Sequence, residues 1–163
     1  METQRDIPPF TITDCKEGGK MIEFVLHCEP PKHTAQGSSM ILKSKKTGKY
    51  FIGKKANSNA IQTKNELLAM LLPYAPEKPL EGAIALQIDI FYSWRKSETK
   101  KNRAKGQMPV ITKPDLDNWV KQFNDCLTRL AFWRDDAQVF DMHLRKFYAD
   151  VPRIEVKIDE INK

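Results

Sequence analysis

The sequence predicts a single α+β (α/β) domain, a mixed β-sheet with two main helices, and three observations carry that prediction. Segments of two-residue polar–apolar alternation at 83–92, 138–148 and 153–158 are interleaved with helical periodicity at 58–72 and 116–131. The 163 residues suit one domain, long enough to bury a core without disulfides or a structural metal. A content of 40% hydrophobic and 29% charged residues is that of a soluble globular protein.

The elements follow in order. Residues 1–19 read as an N-terminal extension that ends in the turn signal Glu17-Gly18-Gly19-Lys20. MIEFVLHC (21–28) reads as a mostly buried strand, stopped by the prolines of EPPKHTAQGSS, which cannot donate to a ladder. Residues 40–52 form a hairpin about Thr47-Gly48. From Ser58 to about Leu72 the pattern is helical, with Ile61, Leu68 and Leu72 among polar residues, until Pro73 and Pro76 end it. AIALQIDIFY (83–92) is a strand that alternates Gln87 and Asp89 with apolar neighbours. Residues 93–111 read as a long, flexible basic loop, of a length that is uncommon in a compact domain and often functional. Leu116, Val120, Phe123, Leu127 and Leu130 then trace one helical stripe, assigned to the core. QVFDMHLRKFY (138–148) alternates with Phe140, Met142 and Leu144 on one face and Asp141, His143 and Arg145 on the other. RIEVKI (153–158) closes the chain as its expected antiparallel partner across Ala149 to Pro152.

The net charge of +6 is unevenly spread. Residues 43–55 carry six lysines and no acid, and residues 95–105 carry six bases and one acid, which leaves the rest of the chain acidic. Lys45, Lys46, Lys49, Lys54 and Lys55 in the first stretch, and Arg95, Lys96, Lys100, Lys101, Arg103 and Lys105 in the second, are candidate contacts to a polyanion. Solvated surface also explains such stretches. Cys15, Cys28 and Cys126 are odd in number and contain no CxxC, which argues for a reducing compartment and against zinc. With no apolar leader and no apolar run longer than LLAMLL, a cytoplasmic protein with no membrane partner is expected.

The stretch TKPDLDNWVKQ (112–122) sets two carboxylates two apart, and FWRDDAQVF (132–140) offers a second pair. Pro114 biases Lys113 away from the α region, so the helix should open with Asp115 as N-cap and Asp117 in its first turn. Capping and the helix dipole alone explain acids there, and a turn explains Asp135 and Asp136. The combination goes further. A cap residue and a first-turn residue can converge, and Lys121, at i+4 from Asp117, lies on the same side. Several carboxylates with a lysine are what a hard divalent cation and a phosphodiester require.

These residues resemble the RusA-type Holliday junction resolvases. The resemblance rests on KPDLDNWVKQFNDCLTRLAFWRDDAQVFDMHLRKFY, about 113–148, and on the EPP that follows the first strand. It implies an intertwined homodimer that binds four-way DNA junctions and cuts two strands symmetrically with Mg²⁺, with Mn²⁺ as substitute. On the matching positions the metal ligands would be Asp115, Asp117 and Asp136, with Asp135 supporting, Lys121 essential for the cut, and Lys146 matching a family lysine counted among the DNA contacts. The long basic loop and the lysine-rich hairpin depart from compact family members and bear on substrate range, toward forks, flaps or loops. Two competing readings stand beside it: a non-catalytic nucleic-acid-binding protein of the same fold, and a nuclease acting on other branched DNA.

Distance adds an expectation. A helix from Leu116 to Ala131 would be roughly 24 Å long, and Phe132 to Asp136 span only ~17 Å when extended. Unless the helix ends early or bends, Asp136 would then struggle to reach Asp117 of its own chain, which points to sites shared between two subunits. The remaining candidates are weaker: His27, His33 and His143 are scattered, Gly48-Lys49-Tyr50 is no P-loop, and Trp119 and Trp133 flank the core helix. Trp94, at the edge of the basic loop, is the one tryptophan considered for stacking on DNA.

Overall fold

A computed structural model describes residues 11–14, 19–32, 39–54 and 58–161, so Cys15, His33 and Lys55 lie outside the described residues. The elements are β1 (Thr11–Asp14), β2 (Lys20–Leu26), β3 (Ser39–Lys43), β4 (Tyr50–Lys54), α1 (Ser58–Leu71), β5 (Ala83–Ser93), α2 (Lys100–Arg103), β6 (Gln107–Pro109), α3 (Leu116–Arg129), β7 (Val139–Ala149) and β8 (Arg153–Ile161). Six strands form a mixed sheet in the order β1-β2-β8-β5-β7-β6, and β3 and β4 form a separate hairpin.

β5 is central because it has the most to bury. Ile84, Leu86, Ile88 and Ile90 are almost wholly inaccessible on one face, and Asp89 and Phe91 are buried on the other. It runs parallel to β7 and antiparallel to β8. The expected β7–β8 hairpin is therefore corrected: β8 pairs with β2 and β5, and Asp150–Pro152 arch over the end of β5. Alternation shows that β8 is a strand but not whose neighbour it becomes. A parallel pair cannot be closed by a tight turn, and α3 supplies the crossover from β5 to β7.

α1 and α3 pack together on one face of the sheet, where Leu67, Leu71, Phe123 and Leu127 join Ile22, Phe24, Leu86 and Val156 in a single core. The α3 stripe is core as expected, with Trp119 and Cys126 added to it. In α1 the inward residues are Leu67 and Leu71, whereas Ile61, and Leu72 just past the end of the helix, are exposed. An unbroken LLAMLL run does not reveal which of its leucines points inward.

Two further expectations change. The N-terminal extension contributes β1, which pairs Thr11–Asp14 with Lys20–Glu23 at the sheet edge. The segment 93–111 carries α2 and β6 rather than irregular chain. Thr99 caps α2 by accepting from the Asn102 amide at 3.2 Å, and Gly106 leaves it at φ +80°, a conformation that favours glycine. β6 then pairs with the last residues of β7.

Candidate active site

Because α3 is a crossover between parallel strands, it runs back against them and its two ends lie at opposite ends of the sheet. The first acidic pair opens it. Asp115 is the N-cap with extended φ −70° and ψ 140°, and Asp117 stands in the first turn. The Asp115 side chain makes no capping hydrogen bond. Asp115, Asp117 and Lys121 are all exposed, and the i,i+4 spacing sets Asp117 and Lys121 on one side of the helix. A carboxylate at an N-cap ordinarily accepts from a backbone amide. This one is left available to a ligand.

Lys146 is what holds this end in place. It sits on the core face of β7, in register with Ile90 of β5. Its ammonium donates to the carbonyls of Thr112 at 2.6 Å and Pro114 at 2.8 Å, immediately before Asp115. Tyr148 Oη and Thr112 Oγ1 are paired at 3.3 Å beside it. On the other flank, the Pro31 carbonyl of the EPP turn accepts from Trp119 Nε1 at 3.1 Å and from Tyr92 Oη at 3.3 Å. Lys146 is thus turned beneath the Thr112–Pro114 loop, and the sequence offered no sign of it because the partners lie 32 and 34 residues away.

The second acidic pair stands at the far end. α3 closes with Ala131 in the left-handed region at φ 57°. The Phe132 amide donates to Leu127 O at 3.1 Å and the Ala131 amide to Thr128 O at 3.0 Å, the two hydrogen bonds of a Schellman motif. The helix therefore ends at Arg129, two residues before the expected Ala131. Asp135 then caps a 3₁₀ turn over Asp136–Gln138, accepting from the Ala137 amide at 2.8 Å. That hydrogen bond, with one from Asp136, holds the Asp135 carboxyl below the usual carboxylate range. Gln138, which sequence reasoning passed over, clamps this turn to the start of β5. Its Oε1 accepts from the Arg134 and Asp135 amides, and its Nε2 donates to Leu80 O at 3.0 Å and Gly82 O at 2.9 Å. Asp135 and Asp136 face an open cleft with Lys64 of α1 and with Asp125 and Arg129 at the last turns of α3.

The structure therefore places Asp115, Asp117 and Lys121 in the opening turns of α3, and Asp135 and Asp136 past its other end, with a helix about 20 Å long between them. Among the described residues no group of three or more His, Cys, Asp or Glu side chains converges within one chain.

Of the candidate DNA contacts, Lys45, Lys46 and Lys49 are exposed at the hairpin turn, and Lys96, Lys100, Lys101 and Lys105 are exposed in 95–105. The side chain of Lys54 lies outside the described residues. Arg95 pairs with Glu98 at 2.9 Å, and Arg103 donates to the Arg95 carbonyl at 3.1 Å. Asn102 first and Arg95 second hold the Glu98 carboxyl low. On the polar sheet face Arg145 grips Asp89 through two hydrogen bonds, at 2.6 and 2.5 Å. Burial pushes the Cys28 and Cys126 thiols up to about 11, which leaves both protonated at neutral pH.

Residues 31–159 match the family described as Endodeoxyribonuclease RusA. A Bacillus subtilis protein called Uncharacterized protein YqaN is 34% identical over 151 residues, covering 86% of this chain and 97% of its own. The Crossover junction endodeoxyribonuclease rusA of Lactococcus phage r1t is 26% identical over 95 residues, 58% of this chain and 70% of that one. The Crossover junction endodeoxyribonuclease RusA of Escherichia coli K12 is 40% identical over 62 residues, 37% of this chain and 52% of that one.

Proposed function

We propose that this chain, which belongs to the endodeoxyribonuclease RusA family, resolves four-way DNA junctions by paired, symmetric hydrolysis of two strands. The observation that carries the reading is the exposed Asp115–Asp117–Lys121 group, in which the N-cap carboxylate is not spent on capping. A purely structural N-cap would be. A protein that only bound nucleic acid would gain nothing from two free carboxylates beside phosphate, which counts against the non-catalytic alternative.

Asp115 and Asp117 offer hard oxygen donors, which suits Mg²⁺, or Mn²⁺ in its place. When bound, such a cation neutralises phosphate charge and lowers the pKa of a coordinated water. Lys121 holds the scissile phosphate and stabilises the charge that develops on it. Asp135 orients its neighbour through the 3₁₀ cap, and Asp136 is the third metal ligand.

That third ligand comes, on this reading, from a second copy of the chain. Phe140 and Met142 lie on the apolar face of β7, yet they are 62% and 37% exposed, and covering a Phe or Met contributes roughly 1.5–3 kcal/mol each. β6 pairs only with Phe147–Ala149 of β7, so among the described residues the outer edge of β7 from Val139 to Arg145 has no strand beside it. A bare edge invites another strand. Two copies joined antiparallel along this edge would set the start of one β7 against the Lys146 end of the other. Asp136 stands three residues before the start of β7, and Lys146 carries the loop into Asp115. The same two-fold pairing that covers Phe140 would therefore complete the site, and two such sites suit two symmetry-related strands.

No helix among the described residues is long and apolar enough to cross a membrane, and work on DNA fits the cytoplasm. Incubation with Mg²⁺ and a synthetic four-way junction, beside linear duplex of the same sequence, tests the reading. Paired cuts at symmetric positions of the junction, with the duplex intact, are expected. An uncut junction, or equal cutting of the duplex, would overturn it.

A further inference from the structure

At the end of β5 a cleft of about 410 Å³ opens between the EPP turn, residues 92–96 and the run that leads into α3. Its volume lies in the range of small-ligand sites. One wall is aromatic: Trp94 stacks on Tyr148 with centroids 6.1 Å apart and ring planes 23° from parallel. The wall is fixed from both sides, because Trp94 Nε1 donates to Asp150 at 2.9 Å and Tyr148 Oη pairs with Thr112. The Arg95 guanidinium lies 5.3 Å from the centre of the Tyr148 ring.

Beside Tyr92, Ser93 and Val110, the lining carries four cationic side chains, Lys32, Arg95, Lys96 and Lys113. Two of these are already neutralised, Lys32 by Glu29 at 3.4 Å and Arg95 by Glu98 at 2.9 Å. Lys96 and Lys113 meet no carboxylate among the described residues. A rigid aromatic wall beside two uncompensated ammonium groups matches the two halves of one nucleotide, a flat base and a phosphate. Lys113 stands two residues before Asp115, which puts this side of the cleft next to the start of the helix that carries the carboxylates.

We infer that this cleft seats one unpaired nucleotide of the DNA strand next to the scissile phosphate, with its base against Trp94, which Tyr148 backs, and its phosphate between Lys96 and Lys113. The inference rests on the junction-cutting reading and adds to it a subsite that selects the nucleotide beside the cut. A base held in a duplex cannot present its face to this wall, so the cleft also favours branched substrates over linear ones.

The test places 5-iodouracil in turn at each of about six positions around the crossover of a four-way junction. The full-length protein is bound in Ca²⁺, irradiated, and the cross-linked peptide identified by mass spectrometry. One position should cross-link to Trp94 or Tyr148. Trp94→Phe should keep the cross-link, Trp94→Leu should lose it and weaken binding roughly tenfold or more, and Lys96→Ala with Lys113→Ala should weaken binding while the circular dichroism spectrum is unchanged. Cross-links only to peptides outside the cleft, from a protein that still cuts junctions in Mg²⁺, would overturn the inference and spare the functional reading. A protein that does not cut junctions but cross-links a single-stranded oligonucleotide through Trp94 would uphold the cleft and overturn the functional reading. Loss of the cross-link to millimolar thymidine monophosphate with junction binding unchanged would assign the cleft to a free nucleotide and overturn the inference.

Discussion

Asp115 and Asp135 occupy the same kind of position, one residue ahead of a helical turn, and behave differently. Asp135 accepts the backbone hydrogen bond its position offers, whereas Asp115 does not. Sequence alone could not separate them, because capping preference is identical for both. It could pair Asp117 with Lys121, since that relation is set by helix geometry within one turn. Stability and activity should therefore separate at Asp117. The helix dipole contributes only about 0.3–1 kcal/mol from an exposed first-turn carboxylate, so Asp117→Asn should shift thermal stability little. It should abolish cutting while junction binding is kept or tightened, with Ca²⁺ supporting binding but no turnover. A band-shift and cleavage pair reads both, and full residual cleavage would remove Asp117 from the site. Lys146 makes the complementary case, since its partners are remote carbonyls that no local pattern announces. Lys146→Met keeps the aliphatic stem and removes the ammonium. The expected result is a fall in cleavage rate of roughly tenfold or more, on the scale of a misplaced reactive group, with an unchanged affinity for the junction and an unchanged salt slope. A reduced salt slope with a normal rate would make Lys146 a phosphate contact instead.

At the scale of elements, what was legible is what is local. The α3 stripe, the hairpin about Gly48 and the strands β5, β7 and β8 follow from periodicity and turn residues. The placement of β8 between β2 and β5 does not, because alternation records a strand's faces and not its neighbours. The end of α3 was misjudged for a related reason: Ala131 is an unusual residue for a left-handed position, so no glycine marks the stop. Ala131 pays a steric cost of about 1–2 kcal/mol there, partly offset by the backbone entropy glycine would lose. Ala131→Gly should then raise stability by roughly 0.5–1 kcal/mol in urea titration, and a loss of stability would contradict the Schellman geometry. The basic segment of 95–105 is held by Glu98, Asn102 and Thr99, yet Lys100 and Lys101 project into solvent. Replacing Lys100, Lys101 and Arg103 with alanine should weaken junction binding and flatten its salt dependence, by up to ~0.9 in slope for each lost duplex contact. An unchanged slope would make the segment ordinary solvated surface.

At the scale of the molecule, one chain has two separate acidic pairs and, among the described residues, a strand edge with no neighbour from Val139 to Arg145. The crossover topology sends α3 back along β5 and β7, so the two acidic pairs are kept about 20 Å apart by the same feature that makes the sheet mixed. The exposure of Phe140 and Met142 has the same origin. The alternation of β7 correctly announced an apolar face, but nothing among the described residues covers Phe140 and Met142. A shared site is the economical account of both facts, and a mixed dimer tests it directly. Asp117→Asn and Asp136→Asn chains carrying different tags are co-expressed, and the heterodimer is isolated through both tags. If each site draws Asp115 and Asp117 from one subunit and Asp136 from the other, one site collects both lesions and the other is intact. The mixed dimer should then nick a four-way junction in one strand with Mg²⁺, although each parent homodimer is inactive. A mixed dimer as inactive as its parents would contradict the account and return all the carboxylates to a single chain.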